Sequence, residues 1–394
     1  MSDRQVFIVS AVRSPTGSYN GLLSSLKAHE LGSIVIKEAL VRANVQPEEV
    51  SEVIMGQSAT AGQGQNTARQ ASIGAGVPIP VPAFLINMLC GTGIKTVHLG
   101  AQSIRNHDSD IVVCGGQEVM SQAHHTIFIR QGVNGHQQLS DSMLEDVLTD
   151  AFVGVHMGIT AENVAKKYGV TREEQDKMAV ESQRKADIAI KSGYFAKEIV
   201  PITVTNRKGS IVVDKDEPPR PGTSMEVLQK LRPAFLKDGN GTVTAGNAST
   251  YGDCAAAVVL MGDDIVKKRG VTPLARVVAF SQEGVEPEIM GMGPVPAVKS
   301  VLKKAGWSKD DVDLFEFNEA FASQSVAVLR ELDIDPKKVN VHGGAIALGH
   351  PIAASGTRIL VTLLHALERT GGKRGVASLC VGGGMGVAIC VERC

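Results

Sequence analysis

A single tryptophan stands among 394 residues, and aromatics together make up only 4%. That argues against an all-β sandwich built on aromatic-rich strands. Charge of one sign is equally scarce. Forty Lys and Arg face 41 Asp and Glu, for a net charge of -1, so there is no electrostatic footprint for nucleic acid or for an anionic membrane surface. None of the six cysteines, at 90, 114, 254, 380, 390 and 394, forms a C-x-x-C pair. A chain this long needs no disulfide staples, and reduced thiols in a cytosol-like compartment are expected. The start, Met1-Ser-Asp-Arg4, runs straight into the strand-like Val6–Val9 with no apolar or Arg-rich leader pattern, and Cys394 replaces any S-K-L tail. The uncharged run from Gly375 to Val391 is interrupted by Gly382, Gly383, Gly384 and Gly386, which makes a poor membrane span. Low hydrophobicity with high net charge, the mark of disorder, is absent as well. The expectation is a cytoplasmic globular protein.

What the chain does have is glycine, 42 residues of it, with 43% apolar and 21% charged side chains. Glycine lets backbones approach each other and their ligands closely. The length fits two or three domains.

The clearest organisational signal is a repeat. Ile36, Ala39, Leu40 and Ala43 have the spacing of an amphipathic helix, and Pro47–Gly56 then reads as a helical turn and a buried strand. Val298, Val301, Leu302 and Ala305, followed by Lys309–Asn318, repeat both units about 262 positions on. Gly91-Thr-Gly-Ile-Lys95 resembles Ala354-Ser-Gly-Thr-Arg358, and Asp110–Gly116 answers Gly375–Gly383. Four matches in one order imply two similar α/β units whose sheets are covered by helices on both faces. Between them lies a charge-rich stretch. Thr171-x-x-Glu174 reads there as a capping box, and Arg207–Ser210 as a turn between strands. The expected division is a first core of 1–119 plus 249–273, an inserted excursion of 120–248 acting as cover rather than core, and a second core of 274–394.

Four places could carry chemistry. Cys90, in Asn87-Met-Leu-Cys90-Gly-Thr-Gly93, precedes a helix start, whose free N–H groups and dipole favour thiolate. His350 is fixed between Gly349 and Pro351 and could act as a base. Cys380 ends an apolar strand, followed by Gly382-Gly-Gly384, whose N–H groups could hold an oxyanion. Asn318 ends another strand, in Asn318-Glu-Ala-Phe321. Each has a bland alternative: buried small hydrophobes for the cysteines, a structural loop histidine, and a helix cap for Asn318. The repeat makes Cys90 and Ala353 equivalent and draws the four groups toward one site between the units. Cys, His, Cys and Asn suit acyl transfer through a thioester. Phosphate-binding loops, G-x-S-x-G and H-E-x-x-H are absent from the sequence.

As a set, Asn87-x-x-Cys90-Gly-Thr-Gly93, Asn318-Glu-Ala-Phe321, Gly349-His350-Pro351 and Cys380-x-Gly-Gly-Gly384 resemble the signature blocks of the thiolases, over essentially the whole chain. The short biosynthetic branch of cytosolic type is the most similar. The resemblance implies a five-layered αβαβα fold with a loop domain that binds coenzyme A. It also implies reversible condensation of two acetyl-CoA into acetoacetyl-CoA and CoA. CoA thioesters are then substrates, with no resident cofactor or metal, and the assembly is a homotetramer formed as a dimer of dimers. In such an enzyme Cys90 takes the acetyl group, His350 activates it, and Cys380 moves the α-proton. Asn318 holds a water in the enolate's oxyanion hole, and the N–H groups of Cys90 and Gly382 form a second hole. His156, Met157, Arg220, Ala245 and Ser249 would line the CoA site, Met290 would limit the acyl pocket, and Ala320 and Phe321 would adjoin both. Two segments depart from the family pattern: Thr250-Tyr-Gly-Asp-Cys254, with a bulky Tyr251, and Pro221 after Arg220. A degradative thiolase for longer 3-ketoacyl-CoA and a non-catalytic acyl-CoA-binding protein are the alternatives. A decarboxylating synthase fits less well, because that chemistry typically uses a second histidine where Cys380 stands.

Overall fold

The computed structural model describes residues 4–130, 132, 134–207 and 209–394. Its main sheet runs Leu314–Phe317, Arg374–Val381, Met385–Arg393, Ala275–Gly284, Val6–Arg13, Gly252–Gly262, Ile111–Val119, Glu52–Gly56, Ala83–Ile86. It is continuous, yet its halves join through only two residue pairs, Phe7 with Arg276 and Ile8 with Ala275. On either side of that seam the strand order repeats. The parallel register of Glu52 with Val112 recurs as Leu314 with Gly375. Even the irregularity recurs: the register slips between Ile8 and Ser10 in one half and between Val277 and Ala279 in the other. A β-bulge is a specific local geometry, so its duplication marks one unit used twice. The outermost strand of the first half, paired through Val53 and Ala83, is reduced in the second to a single bridge between Phe315 and Val339.

Three apolar cores separate five layers. One lies between the first half-sheet and helices Ala28–Arg42 and Thr67–Gly74, another between the second half-sheet and helices Pro294–Ala305 and Ala322–Leu332. The middle core joins both half-sheets to helices Thr92–Arg105 and Ile352–Thr370. Helix Ile352–Thr370 is buried at 15 of its 19 residues, most of them Ala, Leu, Ile and Val, as a helix enclosed between two sheets requires. The two central helices touch at twin glycines. A methyl on Gly93 would lie 2.3 Å from the Thr357 nitrogen, and one on Gly356 2.6 Å from the Ile94 nitrogen. Any side chain there would push the heads of both helices apart.

The excursion contains helix Met157–Tyr168 and the polar helix Arg172–Lys191, opened by the expected reciprocal Thr171–Glu174 cap. Its hairpin, Ile202–Asn206 with Gly209–Val213, brackets the expected turn, of which Lys208 lies outside the described residues. One expectation needs correcting. Val200, Ile202, Val204 and Val213 are buried in the first outer core, so this part of the excursion is core, not cover. Its alternating apolar residues have a sheet-facing helix layer to join, and burying them removes apolar surface from water.

Candidate active site

Cys90 sits in a single 3-10 turn, Leu89–Gly91, at the head of helix Thr92–Arg105. The turn is pinned from behind. The Asn87 carboxamide oxygen accepts the Leu89 N–H (2.9 Å), and the Thr92 hydroxyl accepts the Met88 N–H (2.7 Å). Leu89 adopts φ +46°, a left-handed conformation that is costly for a branched side chain and is kept where the surroundings over-determine it.

His350 approaches from the second half. Gly349 turns the chain at φ +88°, and the His350 N–H bonds to the Thr250 carbonyl at 2.9 Å. The imidazole Nε2 lies 3.2 Å from the Cys90 sulfur, and Nδ1 lies 2.6 Å from the Ser355 hydroxyl, in the first turn of helix Ile352–Thr370. Asn318 places its Nδ2 3.4 Å from the same ring, while its buried Oδ1 has no hydrogen-bond partner among the described residues. Helix capping does not explain Asn318, since the cap of the following helix is Phe321. The neighbouring Glu319 is bound up in structure: it accepts hydrogen bonds from Ser182, Asn340 and the Ile346 N–H, fixing the loop that leads to His350.

Cys380 is fully buried at the end of strand Arg374–Val381, packed with Met157, Met290, Ala320 and Phe321. Burial pushes its thiol far above the ordinary range, and charge on Cys90 pushes it further. Burial also pushes the Cys90 thiol up to about 12, with the charge of Glu118 adding, against hydrogen bonds from the N–H groups of Gly382 and of Cys90 itself. The expected thiolate-favouring helix start is present, but desolvation outweighs it. Burial, helped by the charge of Arg358, brings His350 down to about 3. The resting pair is thus a neutral thiol beside a neutral imidazole.

A cavity of about 520 Å³ opens onto these groups. Cys90, His350 and Gly382 line it, whereas Cys380 and Asn318 are buried and are not among its lining residues. Every residue expected at the CoA side lines it: His156, Met157, Arg220, Ala245, Ser249, Met290, Ala320 and Phe321. His156 caps its helix through Nδ1 (3.0 Å to the Gly158 N–H) and stacks on Phe235. Segment 243–250 is held to Ala320 and Phe321 by the Ser249 N–H on the Ala320 carbonyl and a bridge between Ala248 and Phe321. Tyr251 also lines the cavity, edge-on to Tyr19. Ser355, Phe235 and Tyr19 were not anticipated. Ser355 was accessible, since it matches Thr92 in the repeat and follows His350 by five residues.

Residues 6–264 match the family model described as thiolase, N-terminal domain, and residues 271–393 that of the thiolase C-terminal domain. The chain belongs to the thiolases and is an acyltransferase enzyme. It is 60% identical to the cytosolic acetyl-CoA acetyltransferase of Mus musculus over 389 residues, 98% of either chain. Among solved structures it superposes on the acetyl-CoA acetyltransferase of Bacillus anthracis with a TM-score of 0.97 at 46% identity, covering 99% of both chains. It also superposes on human mitochondrial 3-ketoacyl-CoA thiolase in complex with CoA with a TM-score of 0.95 at 46% identity, covering 99% of this chain and 98% of that one.

Proposed function

We propose that the chain is an acetyl-CoA C-acetyltransferase that condenses two acetyl-CoA into acetoacetyl-CoA and CoA, reversibly, through acetyl-Cys90. The observation that carries this reading is the Cys90–His350 contact of 3.2 Å, with a second buried thiol, Cys380, at the end of the strand that packs against the Cys90 turn through Val381 and Gly382.

His350 Nε2 takes the Cys90 proton, which requires its remaining proton on Nδ1, facing Ser355. The sulfur attacks the acetyl carbonyl, whose developing oxyanion meets the N–H groups of Cys90 and Gly382. The CoA sulfur leaves with the proton of Cys380. A desolvated thiolate is a strong base, so Cys380 can then take the α-proton of the second acetyl-CoA. The imidazolium of His350 and the water on Asn318 stabilise the enolate oxygen. Attack of that carbon on acetyl-Cys90 forms the C–C bond and expels the Cys90 sulfur, which recovers its proton from His350.

The cavity lining from His156 to Phe321 supports CoA thioesters as substrates, as does the CoA-bound relative. The exposed apolar side chains of Ile127, Phe128, Ile129 and Leu139 in the excursion support assembly into a homotetramer through 120–248. The cytosolic name of the mouse relative supports a cytoplasmic location. No helix among the described residues is long and apolar enough to cross a membrane. The test is mass spectrometry after brief exposure to acetyl-CoA, with the label mapped. Acetyl should sit on Cys90. Cys380→Ser should still acquire it yet lose condensation by about 10²–10⁴-fold; equal acylation defects in Cys90→Ser and Cys380→Ser would refute the division of roles.

A further inference from the structure

Glu118, near the end of strand Ile111–Val119, is buried but carries no part of the chemistry above. Its carboxylate is spent on backbone amides of two different loops. Oε1 accepts the Ala59 N–H at 3.1 Å; Oε2 accepts the Ser58 N–H at 3.0 Å and the Ala353 N–H at 3.3 Å. Ala353 lies in the first turn of helix Ile352–Thr370, where N–H groups have no partner within the helix. From there one path is short. The Ile352 N–H bonds the His350 carbonyl, and Ser355 in the same turn holds the imidazole. The other path is equally short. The Ser58 hydroxyl donates to Asn87 Oδ1 at 3.3 Å, and that oxygen accepts the N–H of Leu89, next to Cys90. Strand and helix are also pressed together: a methyl on Gly116 would lie 2.1 Å from the Ala353 carbonyl oxygen.

We propose that Glu118 is a positioning residue of the reaction: one carboxylate ties the loop of Cys90 and the loop of His350 to a single strand and so sets the distance between sulfur and imidazole. The inference rests on Cys90 being the acylated residue. A carboxylate suits the place because it offers acceptors alone, and three donors converge on it. Glutamine has the same shape but turns an NH2 group toward N–H donors, leaving at least one of them unpaired.

The experiment measures Glu118→Gln and Ser58→Ala in the full chain, by the rate of Cys90 acetylation from acetyl-CoA and by the dissociation constant for CoA. Misplacement by an ångström can slow a step about 10²-fold, and a loss of that size is expected for Glu118→Gln with CoA affinity within about threefold of wild type. Ser58→Ala, which removes the hydroxyl that reaches Asn87 and also meets the Glu118 carboxyl but leaves the three backbone donors in place, should slow acetylation by about tenfold and decides the matter should Glu118→Gln fail to fold. Acetylation rates unchanged in the folded variants, or CoA affinity lost in step with rate, overturn the proposal. Wild-type protein that never acetylates Cys90 would instead count against the proposed function.

Discussion

The two halves of the molecule share a backbone and divide the labour. Cys90 heads the central helix of the first half, and its twin at the head of the other is Ala353. His350 is matched by Asn87, Asn318 by Gly56 at the same strand end, and Cys380 by Gln117. Each twin is inert and structural. Asn87 braces the Cys90 turn, and Gln117 donates to Gln57 and to the Thr67 carbonyl inside the first half. Three of the four reactive groups thus come from one half and the nucleophile from the other. The site lies on the pseudo-two-fold seam, where the heads of two buried helices meet. The fold repeats one scaffold, and one member of each residue pair carries the chemistry; of the others, Asn87 braces the nucleophile's turn and Gln117 ties the first half together.

The largest effect should come from moving the nucleophile across that symmetry. Cys90→Ala should leave no detectable acetyl-enzyme. Adding Ala353→Cys to it restores a thiol at the twin position, where the repeat supplies Asn87 in place of His350, and an amide cannot take a proton as the imidazole does. No acetylation at position 353 is expected by peptide mapping. A labelled Cys there would mean that the halves are chemically interchangeable and that the asymmetry described above has no force.

The asymmetry can be sharpened by pH. With Cys90 raised to about 12 and His350 lowered to about 3, neither group changes charge between pH 6 and 9. The thiolate fraction then climbs about tenfold per pH unit across that window, and alkylation of Cys90 by iodoacetamide should rise in proportion. A preformed thiolate–imidazolium pair would instead give a rate nearly flat over the same range. A plateau from pH 6 upward would therefore be incompatible with a neutral resting pair.

Much of this was readable in the chain. The repeat spacing of 36–43 and 298–305 fixed the outer helices, and glycine-broken apolar runs marked the strands. The four reactive residues stand in short motifs because each must sit at a strand or helix end, where local sequence sets the geometry. Less was readable where the deciding term is three-dimensional. The helix start at Cys90 suggested a thiolate, but solvent exclusion depends on side chains from both halves and reverses the sign. Residues 200–213 looked like a surface hairpin because nothing in their sequence says which layer will cover them. Nothing in the sequence singles out Glu118, because its partners lie far off along the chain, at 58, 59 and 353.

The smallest and most discriminating comparison sets Ser355 against its twin, Thr92. Both hydroxyls fold back from the first turn of a central helix onto the preceding loop, Thr92 accepting the Met88 N–H and Ser355 meeting His350 Nδ1. If the halves differ in role, removing the two should register in different quantities. Ser355→Ala leaves the ring free to change tautomer and tilt, so kcat should fall by about tenfold, less than the ~10²–10⁴-fold that a proton-transferring group itself contributes, with little change in thermal midpoint. Thr92→Ala orphans a backbone N–H and loosens the Cys90 turn, which should lower stability by about 1–3 kcal/mol in denaturant unfolding, with a smaller effect on kcat per folded molecule. The reverse pattern would assign the tuning of the thiol to the first half, because the two hydroxyls occupy the same place in the fold and differ only in what stands before them.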